Sequence, residues 1–88
     1  MKAVKAIKKY LISLDKDSFD AVEAKIKEII CSGKSIQTLT INVDMDSIDS
    51  SETKFRYIKS LHRYYELQKF IVYTSTHSDT FTISISIY

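Results

Sequence analysis

The chain has 88 residues, 44% of them hydrophobic and 27% charged, with a net charge of +2, one glycine, no proline and no tryptophan. This is the composition of one small globular domain spanning 1–88 with a modest core, and it excludes a chain dominated by disorder. No unbroken apolar run nears the roughly 18 residues that cross a bilayer, lysines interrupt the apolar residues of the N-terminal segment as they do not in a secretory leader, and the lone Cys31 has no internal disulfide partner; a soluble, cytoplasmic protein is expected.

Val4, Ile7, Leu11 and Leu14 recur at helical spacing, with Lys2, Lys5 and Lys9 on the opposite side, which predicts a first helix over about 2–13. Asp17 or Ser18 then offers a cap for a second helix over about 18–32, whose stripe is Phe19, Val22, Ile26 and Ile29 and whose end is Gly33. Strict alternation of Leu39, Ile41, Val43 and Met45 with Thr38, Thr40, Asn42 and Asp44 predicts a strand over about 36–45. Ser50 or Ser51 caps a third helix over about 51–67, with Phe55, Ile58, Leu61, His62 and Tyr65 turned to the core. KFIVYTST and DTFTISISIY read as two further strands joined by a hairpin at His77-Ser78, the second alternating Phe81, Ile83, Ile85 and Ile87 with Thr and Ser. Lys69 is then the only charge on the second strand.

The element order ααβαββ predicts an α+β two-layer sandwich. A right-handed crossover sets the first two strands parallel, and the third returns between them, giving a three-stranded mixed sheet of order 1-3-2 with the helices on one face. The other face is rich in Thr and Ser and is left open. Both outer strands lack proline, so self-association through an edge or the open face, as a C2 homodimer, is expected.

The charge is unevenly spread. Residues 1–14 carry Lys2, Lys5, Lys8 and Lys9 and no acid; residues 44–52 carry Asp44, Asp46, Asp49 and Glu52 and no base; residues 53–70 carry Lys54, Arg56, Lys59, Arg63 and Lys69 against Glu66. In FRYIKSLHRYY, at about 100° per residue, Arg56, Lys59 and Arg63 share one solvent-facing stripe with Tyr57 and Tyr64 at its flank. These five residues are the expected partner-binding surface, because Arg grips carboxylates in a fork and Tyr supplies rigid contact area. DMDSIDSSE has oxygens at alternate positions but neither the glycine nor the twelfth-position glutamate of a calcium loop, so no metal is expected. Cys31 near a helix C-terminus, His62 beside a core stripe and His77 in a turn form no nucleophile–base pair; no catalytic residues and no cofactor are expected, and the chain reads as not an enzyme.

In its size, its composition and its lack of catalytic, metal or phosphate-loop motifs, the chain resembles the small inhibitors encoded by phages and other mobile elements, of the anti-CRISPR type. The resemblance carries no individual residue across. It implies a protein-binding module that acts sterically, occupying a surface of a larger host complex such as a CRISPR effector and blocking its nucleic acid or its assembly. The alternative is a small nucleic-acid-binding regulator that lays the basic third helix against phosphates, although a strand separates its last two helices and the basic excess is small. Membrane-surface binding is not expected.

Overall fold

The computed structural model describes residues 2–33, 37–77 and 80–87. Its elements are α1 (Lys2–Cys31), β1 (Gln37–Val43), α2 (Ser51–Glu66), β2 (Ile71–His77) and β3 (Thr80–Ile87). The expected strand start at Ile36 and the turn residue Ser78 lie outside the described residues.

The two expected N-terminal helices are one 30-residue element broken at a single residue, Asp15, whose backbone is extended (φ −156°, ψ 92°). The break has a local cause. Asp15 Oδ1 accepts the N–H of Ser18 at 3.0 Å, so Asp15, rather than Asp17 or Ser18, caps the second arm. Gly33 closes that arm at φ +73°, where a side chain would be strained. Ser50 caps α2 as expected, its side chain accepting from the Thr53 N–H. At the other end of α2 the N–H of Lys69 bonds Glu66 O at 3.0 Å and that of Phe70 bonds Tyr65 O at 3.2 Å, a Schellman motif. Its customary apolar contact is present, with the Tyr65 and Phe70 rings 6.0 Å apart. Lys69 therefore belongs to this cap and not to β2, which contains no Asp, Glu, Lys or Arg.

The sheet order is β1-β3-β2, as expected. Both ladders are antiparallel, so the expectation of a mixed sheet is corrected: β1 and β2 run the same way but are never neighbours, because β3 lies between them. Ile41, Val43, Val72, Phe81, Ile83 and Ile85 form one buried cluster with Leu11, Phe19, Val22 and Ile26 of α1 and Tyr57, Ile58, Leu61, Tyr64 and Tyr65 of α2. Met45 is in the same core, but past the end of β1 and in the left-handed region (φ 52°).

The α2 core face is rotated from the one the sequence suggested. Tyr57 and Tyr64 are buried, while Phe55 is 45% exposed and His62 only half-buried. The apolar centre moves by about 60° around the helix, a little more than half a residue step. It can do so because the phenol of Tyr57 finds a buried acceptor, the carbonyl of Asp15 at 2.8 Å. Among the described residues no buried side-chain nitrogen or oxygen lacks a partner.

Three variants check this arrangement. Ile85 is fully buried between Leu39 and Val72 on the central strand; Ile85→Ala should cost about 2–5 kcal/mol by urea unfolding. Asp15→Ala removes a cap and strands the N–H of Ser47, so it should cost about 2–4 kcal/mol, against about 1 kcal/mol for Tyr57→Phe. Equal costs for the last two would show that the carboxylate does not hold the kink.

Candidate functional site

Three surfaces are left over once the core is built. The first is the α2 stripe. Arg56, Lys59 and Arg63 do face solvent. Arg56 is bonded to Glu52 at 3.1 Å and Arg63 to Glu66 at 3.2 Å, each along its own helix. Glu66 also lies 3.4 Å from His62. Three cations against two carboxylates leave a local charge of +1, with Lys59 the one cation of the three without an acidic partner among the described residues. The tyrosines expected beside the stripe are not there. Tyr57 and Tyr64 are 0% and 6% exposed, and Tyr64 packs edge-on against Phe19 at 5.4 Å. They belong to the core because their rings are large and apolar, and a helix face is decided by what packs on it.

The burial of these phenols changes their acidity. Burial, then the charges of Asp15 and Asp20, hold the Tyr57 hydroxyl far above its ordinary value near 10. Burial and the hydrogen bond to Glu23 at 2.6 Å do the same for Tyr65. Burial, with the charge of Glu23, raises Tyr64 as well.

The second surface is the open face of the sheet. On β1 it carries Thr38, Thr40 and Asn42, on β3 Thr80, Thr82, Ser84 and Ser86, and on β2 Ile71, Tyr73, Ser75 and His77, as the register dictates. None of these is Asp, Glu, Lys or Arg. Hydroxyls pair across the strands: Thr38 with Ser86 at 3.0 Å, Thr40 with Ser84 at 3.0 Å, and Ser75 with Thr82 at 2.6 Å. Tyr73 is 68% and Ile71 43% exposed. The sequence marked the Thr/Ser character of this face but not Ile71 and Tyr73. Ile71, Val72 and Tyr73 are all apolar, so the period of β2 could not be read and only pairing with β3 sets its parity.

The third is a pair of shallow grooves on the N-terminal arm of α1. One is lined by Val4, Lys5, Leu67, Gln68 and Lys69, the other by Lys5, Lys8, Lys9 and Ile12. Opposite in character is a cavity of about 150 Å³ at the kink, where Asp15, Asp17, Asp44 and Asp46 are among the lining residues. Asp15 already spends both oxygens on N–H groups there, Ser18 at 3.0 Å and Ser47 at 3.3 Å. Among the described residues no group of three or more His, Cys, Asp or Glu is placed to hold a metal ion. Cys31 is exposed at the end of α1, and His77 is exposed at the end of β2. Among the described residues no helix is long and apolar enough to cross a membrane.

Against protein-family models, curated proteins and solved structures alike, the chain has no match.

The tyrosine burial has a measurable consequence. The neutral phenols are favoured in the folded state, so the stability they contribute is complete below pH 10 and is lost as pH rises above it. Absorbance titration near 295 nm should show Tyr57, Tyr64 and Tyr65 ionising later than free tyrosine, the last of them only with unfolding. Six phenols titrating together near 10 would place these rings outside the core.

Proposed function

We propose that the protein is a small non-enzymatic binding module that acts sterically, docking the open face of its sheet onto a larger protein or nucleoprotein complex and blocking a surface that complex needs. The observation that carries this reading is the charge-free sheet face. A quarter of the chain is charged, yet that charge is absent from the described residues of one whole face. An ionic surface keeps a protein in solution; a neutral one with exposed aromatic and branched side chains can be desolvated cheaply on contact. The reading takes the helices as a layer over the apolar side of the sheet, which the shared core of α1, α2 and the strands supports. Tyr73 is the anchor, standing proud of a floor of paired hydroxyls.

The bipolar charge pattern and the general likeness to mobile-element inhibitors of the anti-CRISPR type agree with this role. The open edges of β1 and β2 also leave room for a homodimer. In this reading Arg56, Lys59 and Arg63 take no part in the anchor: they lie on the solvent face of α2, which covers the other side of the sheet, and two of them are shared with Glu52 and Glu66.

The test begins with a pull-down from the natural host to obtain a partner. Tyr73→Ala and Ser84→Lys, both on the exposed face and both expected to melt with the parent, should each weaken binding by about tenfold or more. The triple Arg56→Ala, Lys59→Ala, Arg63→Ala variant should weaken it by no more than about threefold. The sheet face is not the docking surface if Tyr73→Ala and Ser84→Lys bind as the parent does. Retention on heparin beyond about 0.4 M salt would favour the nucleic-acid reading instead.

A further inference from the structure

We infer that the lysine-lined groove between the first turn of α1 and the C-terminal end of α2 is a second, independent binding site, and that it takes an acidic peptide segment of a partner protein bearing one large apolar side chain.

The groove, about 490 Å³, has Val4 and Leu67 as apolar wall and Lys5, Gln68 and Lys69 as polar rim. Lys5 is shared with the adjoining groove, where Lys8, Lys9 and Ile12 continue the strip along the helix. Among the described residues no acid lines either groove, and none occurs in the sequence from 2 to 14. Four lysines thus converge on a concave apolar surface.

Two features of this strip work against the fold. Lys2 and Lys5 stand in the first turn of α1, which contains no acidic residue. Cations there repel the positive end of the helix dipole, and the two positive fields add. Lys69 holds a left-handed backbone (φ 75°) at the capping position where glycine is preferred. Its ammonium is not needed to finish α2. The carbonyls of Arg63, Tyr64, Tyr65 and Glu66 already accept hydrogen bonds, from the backbone N–H groups of Leu67, Gln68, Lys69 and Phe70 and from the Gln68 side-chain amide. Unfavourable local choices gathered at one concave place point to a use for that place.

The chemistry of the strip selects the occupant. Carboxylates match four ammonium groups in sign, and the walls of Val4, Leu67 and Ile12 match an apolar side chain. A phosphate chain would gain from guanidinium forks, of which the groove has none, and would leave the apolar walls unused. A bilayer needs apolar groups that protrude, whereas Val4, Ile12 and Leu67 are half-buried and the exposed Tyr10 lines neither groove. The acidic stretch Asp44–Glu52 of a second copy is a further source of carboxylates, but there Ile48 is buried and not available as the anchor.

The experiment uses the full chain and fluorescence anisotropy at low salt. The probes are a labelled peptide of about twelve residues with Asp/Glu around one central Trp, the same peptide with Ser for Trp, and a single-stranded oligonucleotide of matched charge. The Trp peptide should bind at least about tenfold more tightly than the Ser peptide and the oligonucleotide. Lys69→Gly is the decisive variant: it relieves the left-handed strain, so it should melt higher than the parent and yet bind the Trp peptide several-fold more weakly; Lys5→Glu should weaken it further. Parent-like affinity in a stable Lys69→Gly, equal binding of the Trp and Ser peptides, or preference for the oligonucleotide would each overturn the inference. So would self-association of the parent in sedimentation that Lys5→Glu abolishes, which would mark the groove as filled by a second copy. Tyr73→Ala should leave peptide binding unchanged, so the outcome is separate from that of the sheet face.

Discussion

Asp15 sits where three parts of the chain meet, and its oxygens hold all three. One carboxylate oxygen receives the N–H of Ser18 and turns the second arm of α1. The other receives the N–H of Ser47 and pins the loop that follows β1. Its carbonyl receives the Tyr57 hydroxyl and docks α2. An acid only 3% exposed would be costly were any of these acceptors idle. Ser18 adds a reciprocal tie, its hydroxyl accepting the N–H of Met45 at 3.0 Å. The extended backbone at Asp15 is therefore the joint on which the helices and the sheet are set relative to one another.

From that joint the charge polarity follows. Asp44 and Asp46 of the loop after β1 and Asp17 of the second arm's first turn gather with Asp15 at the kink. α2 starts near it, with Tyr57 on Asp15, and ends with Leu67 beside Val4 at the far end of the first arm, where the lysines lie. A segment count of charge thus becomes an acidic end and a basic end of one molecule. The two α2 arginines join neither, because Glu52 and Glu66 answer them within the helix. Ion pairs at such exposure contribute little to stability, about 0–1 kcal/mol each, but they flatten the local field.

The sheet divides the remaining work. β3, paired on both sides, places Phe81, Ile83 and Ile85 in the core and its Thr and Ser residues on the open face. Hydroxyls that pair across strands satisfy one another without charge. That leaves a surface of paired hydroxyls without Asp, Glu, Lys or Arg among its described residues.

The sequence by itself determined the α+β class, the strand order, a serine cap at position 50 or 51, the Gly33 stop and the core residues of the cleanest periods, among them Ile26, Ile41, Ile83 and Ile85. These are local matters: alternation, helical spacing and terminal chemistry act between residues a few positions apart. Tertiary structure decided the rest. Whether Asp15 or Asp17 caps the second arm depends on Ser47 and Tyr57, 32 and 42 positions away. Tyr57 and Tyr64 look like surface aromatics in FRYIKSLHRYY and become core because a distant carbonyl and the Phe19 ring receive them. Lys69 reads as part of a strand until the α2 cap claims it, and only packing sets it across a groove from Lys5. Side-chain period tells a residue which way it can face; which of two faces is buried is a free-energy comparison made by the elements that pack there, and those are not its neighbours in the chain.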